Sequence, residues 1–212
     1  MSFDLVFFGG TGDLTWRKLM PALFQAFRHG KLPPGGRILA VARDDRSDDE
    51  YRSFIHERFN DVESSKRPSE DEFARFAKLL HYRRMDLSQP EHYARLKAWL
   101  DERGADTVVL YLATSPHLFP VICEQLGAAG LNRPHVRVVL EKPLGHDLAS
   151  AQEINRVVRR AFSEQQAFRI DHYLGKHQLG HALFGGRQCR NGRSDAIQHV
   201  RSPPPRNATP PA

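Results

Sequence analysis

At 212 residues the chain suits one domain, or one domain with an appendage, and its hydrophobic fraction of 40% suffices for a real core. Apolar runs such as VVLYLA are far too short to cross a bilayer, and Cys123 and Cys189 show neither CxxC nor metal-ligand spacing. The net charge of +6 is not spread evenly: residues 177–212 hold five Arg, no Lys and one Asp, which leaves +2 for the first 176 residues and argues against a basic nucleic-acid face.

The amino-terminal stretch has Asp4 beside Phe3 and no basic region, so no secretory signal is expected. With two distant cysteines this points to a reducing, cytoplasmic setting, no membrane partner, no disulfide scaffold and no metal site.

FDLVFF, residues 3–8, is an apolar run ending in glycine and reads as a buried strand. From Thr15 to Arg28, apolar residues at Leu19, Ala22, Leu23, Ala26 and Phe27 follow a helical period that Gly30 stops. RILAVA, residues 37–42, predicts a second strand, and DDEYRSFIHERFN an amphipathic helix. EDEFARFAKLLHY predicts another helix, with Phe73, Phe76, Ala77 and Leu80 on one face and a short strand over 82–85. PEHYARLKAWLDERG has Pro90 near a helix start and Gly104 past its end.

DTVVLYLA, residues 106–113, is the clearest buried strand. SPHLFPVICEQLGAAG predicts a helix and HVRVVLEKP, residues 135–143, a strand. DLASAQEINRVVRRAF places Asp147 at an N-cap, and AFRI, residues 167–170, closes the series as a short strand. Strands alternating with helices, several of them apolar on both faces, predict an α/β fold with a parallel, doubly wound, Rossmann-like sheet covered on both sides.

The chemistry concentrates where the first strand meets its helix. In GGTGDL, Gly9, Gly10 and Gly12 allow a tight turn with little side-chain bulk, and amides at the following helix start suit a phosphate. Thr11 adds a hydroxyl donor. No Gly-Lys-Ser/Thr follows, so this is not a Walker loop, and Asp13 stands where a GxGxxG turn would have another glycine. Such a turn also occurs without a ligand. The end of the second strand bears on the cofactor: Arg43 in VARDD suits an adenosine 2′-phosphate and hence NADP, while Asp44 and Asp45 leave NAD open.

GGTGDLTWRKLMPALF, VARDD, LYLATSP, VVLEKPLGHDLASAQEIN and FRIDHYLGK, in that order over residues 3–176, together resemble glucose-6-phosphate dehydrogenase. The resemblance implies a dinucleotide domain over 1–176, oxidation of glucose 6-phosphate at C1 with NADP, or NAD in some members, and 6-phosphogluconolactone as product. It implies that Gly9, Gly10, Thr11, Gly12, Asp13, Leu14, Thr15 and Trp16 cradle the cofactor pyrophosphate and that Arg43 meets the 2′-phosphate. It places Tyr111 near the cofactor and Lys142 where nicotinamide and sugar meet. His172, Tyr173 and Lys176 then hold the sugar phosphate, and Asp171 orients a general-base histidine that the family carries in a second, antiparallel-sheet domain.

Beyond Lys176 the family pattern stops. Residues 177–212 are rich in Gly, Arg, Asn and Pro with no sustained period, which reads as a disordered or frameshifted tail. The sequence expectation is therefore a truncated dehydrogenase, inactive alone, with an apolar sheet face open to water and an uncertain oligomeric state. The competing expectation is a non-catalytic NADP-binding module, or the partner of a chain supplying the second domain.

Overall fold

The computed structural model describes residues 2–62, 67–142 and 144–170. Six strands, β1 (Phe3–Phe8), β2 (Arg37–Ala42), β3 (Leu80–Arg84), β4 (Thr107–Leu112), β5 (Val136–Glu141) and β6 (Ala167–Ile170), form one sheet in the order β3-β2-β1-β4-β5-β6. Every pairing is parallel; Leu5 of β1, for example, lies between Ile38 of β2 and Val109 of β4. The helices are α1 (Met20–Arg28), α2 (Asp48–Phe59), α3 (Glu70–Ala77), α4 (Pro90–Asp101), α5 (Phe119–Ala128) and α6 (Leu148–Ala161).

The strands are apolar on both faces because both faces are covered. Phe3, Leu5 and Phe7 of β1, Ile38 and Ala40 of β2 and Tyr111 of β4 join Leu23, Phe24, Tyr51, Phe59 and Phe76 in one core. Val6, Phe8, Leu39, Val41, Leu110 and Leu112 join Tyr93, Leu96, Ile122, Leu126, Ile154 and Val157 in the other. Alternation along each strand thus feeds two cores, with α1–α3 on one side and α4–α6 on the other. Among the described residues no apolar face is open to water, and Leu148, at 73%, is the exposed large hydrophobic.

Two details depart from the sequence reading. The helix expected over 70–82 ends at Ala77, and residues 80–84 are strand. Leu80 fits the helical face by spacing, but pairing with Ile38 on β2 takes it into the sheet. Ahead of α1, Thr15–Leu19 form a π-helical turn rather than a plain helix start. Asp147 caps α6 as expected, its carboxylate accepting from the Ser150 amide at 2.8 Å. Asp4, inside an otherwise apolar run, is fully buried and receives two hydrogen bonds from Arg37, at 2.9 and 2.7 Å, while Arg37 lies over the Trp99 ring.

Candidate nucleotide site at the switch point

The chain winds outward in both directions from β1 and β4, so the connections after these strands part and leave a crevice at their carboxyl ends. The β1–α1 turn sits there. Gly9 has φ +89, and a Cβ on it would lie 2.6 Å from the Ala113 carbonyl; one on Gly10 would lie 2.4 Å from the Ala40 Cβ. Both glycines are required by the protein's own packing. Gly12 differs: its Cβ would meet the Gly9 carbonyl oxygen at 3.2 Å, and its next neighbour, the Ala113 oxygen, stands at 4.0 Å. Packing alone demands less of Gly12 than of its neighbours.

The amides divide the same way. Gly9 and Gly10 both donate to the Val41 carbonyl at 3.0 Å, and Gly12 donates to Gly9. The sequence assigned the phosphate to amides at the helix start, and the two leading glycines use theirs to tie the turn to β2. The Thr15 and Trp16 amides donate back to Gly12. The amides of Thr11, Asp13 and Leu14 have no acceptor among the described residues, and these are the donors left for an anion.

Side chains brace this arrangement. The buried Thr15 hydroxyl donates to the Gly9 carbonyl at 2.9 Å, so it fixes the turn rather than facing the crevice. Trp16 is 8% exposed and donates its indole N–H to Asp13 at 3.1 Å, and Arg17 pairs with the same carboxylate. Together they offset the charge of Asp13 at a helix start where an anion would approach. The buried Tyr51 hydroxyl donates to the Gly10 carbonyl at 2.9 Å, and its ring stacks on Tyr82 at 5.1 Å. Tyr82 in turn donates to the Asp44 carbonyl at 2.7 Å, anchoring the loop after β2. Burial first, and the nearby Asp44 charge second, push the Tyr82 hydroxyl up to about 12; burial pushes Tyr51 up as well.

Arg43 follows β2 directly, exposed, with no hydrogen bond or ion pair among the described residues. Asp45, which could have neutralised it, pairs with Arg84 at 4.0 Å. Sequence reasoning overlooked Arg46, whose guanidinium lies 5.0 Å over the Phe54 ring; the signal available was a second arginine three positions on. It also overlooked Thr114, whose Oγ is buried without a partner beside Gly9.

Tyr111, expected near the cofactor, is fully buried, its ring against Phe7 at 5.5 Å and its hydroxyl donating to Glu141. Burial, then the Glu141 carboxylate, push that hydroxyl up. It ties the end of β4 to the end of β5 and presents no surface to the crevice. Lys142 is exposed just past β5, where its amide donates to the Ile170 carbonyl at 2.9 Å. Asp171, His172, Tyr173, Lys176 and the 177–212 segment lie outside the described residues, as does Pro143.

A concavity of about 370 Å³ occupies the opposite, amino-terminal end of β4 and β5. Its charged groups are already satisfied, Arg133 by Asp101 at 2.8 Å and Asp106 by Ser2 at 2.6 Å. Among the described residues no cluster of three or more His, Cys, Asp or Glu could hold a metal ion, and no helix is long and apolar enough to cross a membrane.

The family described as "Glucose-6-phosphate dehydrogenase, NAD binding domain" matches residues 6–180. A glucose-6-phosphate 1-dehydrogenase of Mycolicibacterium smegmatis is 44% identical over 184 residues, covering 85% of this chain and 37% of the relative. One from Rhizobium meliloti is 41% identical over 177 residues, covering 84% of this chain and 36% of the relative. The solved glucose-6-phosphate 1-dehydrogenase from Mycobacterium avium superposes with a TM-score of 0.72 at 32% identity, covering 82% of this chain and 37% of that one. The chain thus spans a little over a third of the length of the relatives it matches.

Proposed function

The chain belongs to the glucose-6-phosphate dehydrogenase family through its NAD-binding domain, and on that premise we propose that it binds NADP at the switch point and serves the oxidation of glucose 6-phosphate at C1. The observation that carries the reading is the β1–α1 turn, where the Thr11, Asp13 and Leu14 amides lack an acceptor among the described residues, beside Gly12, whose Cβ position is crowded by the Gly9 carbonyl oxygen alone. A pyrophosphate satisfies those donors and gains from the helix start behind them.

A dinucleotide held by the Thr11, Asp13 and Leu14 amides and by Arg43 would supply the hydride acceptor for C1 of the sugar, with 6-phosphogluconolactone as the product. The chain's own residues bind and orient. Arg43, which makes no ion pair among the described residues, receives the 2′-phosphate. Tyr111, through Glu141, holds the end of β5 and with it Lys142, which we assign to the junction of cofactor and sugar. His172, Tyr173 and Lys176 supply donors to the sugar phosphate, and Asp171 acts as a positioning residue for the histidine that takes the C1 hydroxyl proton. Cytoplasmic residence is part of the same proposal; the buried, free Cys123 accords with it.

The experiment pairs calorimetric titration of the purified chain with NADP and NAD with an assay of cofactor reduction by glucose 6-phosphate. Binding of NADP with turnover supports the full reading. Binding without turnover favours the alternative, a cofactor-binding module that acts with another chain. Absence of binding to either dinucleotide overturns both.

A further inference from the structure

We propose that Arg46 is a second anchor for the phosphate monoester on the adenosine ribose, and so a determinant of NADP over NAD; this deepens the dinucleotide reading above and rests on it. Arg46 lies in the loop between β2 and α2, three residues after Arg43 and one before Ser47, the N-cap of α2. Its guanidinium sits over Phe54, and its Nε is buried with no hydrogen-bond partner. No ion pair involves it among the described residues. A buried cationic N–H without an acceptor is costly unless the head group meets an anion elsewhere.

Several acids around it are engaged by other donors, although Glu50 also lies within its field and Glu57 lines the same concavity as Arg46. Asp45 pairs with Arg84 at 4.0 Å and Asp49 with Arg52 at 2.7 Å. Glu50 accepts from the Ser47 amide at 2.7 Å in a capping box. Asp48 accepts from the Tyr82 amide, His81 and Arg83 at 2.8, 3.1 and 2.9 Å. Asp44 remains, its carboxylate exposed and its backbone carbonyl held by Tyr82. The loop therefore carries two arginines, Arg43 and Arg46, with no ion-paired carboxylate on either among the described residues.

Of the two, Arg46 is held before any ligand arrives, by its stack on Phe54; for Arg43 only the backbone is fixed, at the end of β2. A guanidinium already ordered loses little freedom on binding, and its fork matches the oxygens of a phosphate monoester. The concavity that Arg46 lines, of about 360 Å³, is shared with Asp49, Glu50 and Glu57, whose charges repel an anion there. The alternative is that Arg46 only covers Phe54.

Arg46→Met separates the two, because methionine keeps apolar contact with Phe54 and removes the charge. Calorimetry on the full chain, with circular dichroism to confirm folding, compares NADP with NAD and 2′,5′-ADP with 5′-ADP. The proposal expects Arg46→Met to weaken NADP and 2′,5′-ADP about tenfold or more while NAD and 5′-ADP change by about twofold or less. Equal losses for both members of each pair, or no loss at all, overturn it. If Arg46→Met does not fold, Arg46→Lys keeps the charge but not the fork. It is expected to lose about threefold or more for the 2′-phosphorylated ligands alone, and wild-type affinities overturn the proposal. Failure of the wild-type chain to bind any dinucleotide is a different result, seen before a variant is made, and it removes the underlying reading as well.

Discussion

Gly12 and Gly10 stand two residues apart and answer differently to the same change. A side chain at Gly10 drives into Ala40 of β2 at 2.4 Å, so Gly10→Ala is expected to cost about 1–3 kcal/mol of stability by overpacking. Gly12→Val is expected to leave a folded protein, at a cost of about 1 kcal/mol, and to weaken NADP about tenfold or more by filling the space before the free amides. Denaturant unfolding and calorimetry on both variants check this; a folded Gly12→Val with unchanged affinity contradicts it. Arg43→Ala is expected to weaken NADP about tenfold and NAD much less, since only the 2′-phosphate is lost; equal effects on the two would refute the assignment. The role proposed for Arg43 rests on its place just after β2, and the glycine turn was legible because its conformational demand is local. The division of labour among the turn amides was not, because it depends on Val41, some thirty positions away in sequence, as acceptor. The burial of Asp4 was hidden for the same reason: its partner Arg37 belongs to the neighbouring strand.

The strands and most helices could be read from period and punctuation, and β1, β2 and β6 match the expected spans. The misreading of residues 78–82 shows the limit: Phe76 and Leu80 suit one helix face, and only pairing with β2 decides for a strand. The π-helical turn was hidden because the apolar series from Leu19 onward runs on unbroken. Caps, by contrast, are carried by adjacent residues. Asp147→Ala is expected to cost about 1 kcal/mol, within a range of about 0.5–2, by freeing the first-turn amides of α6; a change in chemical denaturation below that range would count against the cap. Between elements, Arg28 of α1 binds Glu72 of α3 at 3.0 and 2.9 Å. Those bonds, with the Ser69 amide, hold the Glu72 carboxyl at about 2, below its ordinary 4.5. A depressed carboxylate stabilises the fold above its unfolded pKa and loses that contribution as the pH falls through the folded one. The stability difference between the wild type and Glu72→Gln should therefore be largest above about 4.5 and shrink as the pH drops toward about 2. Urea unfolding across that window measures it, and a pH-independent difference would contradict the link.

At the scale of the molecule, two cores on opposite faces of one parallel sheet fix where β1 and β4 end, and the crevice between their connections follows from the winding alone. The resemblance named the family from short motifs spread over residues 3–176, and the family match over 6–180 agrees with it. The sugar-phosphate half of the proposal depends on residues beyond Ile170, so the dinucleotide half bears the weight of the account. Its central claim is that three particular amides grip the cofactor pyrophosphate. Backbone amide NMR during titration with NADP tests this most directly. The account predicts saturable shifts at Thr11, Asp13 and Leu14 larger than those at Gly9 and Gly10, whose protons already belong to Val41. Saturable binding that leaves Thr11, Asp13 and Leu14 unmoved would contradict it.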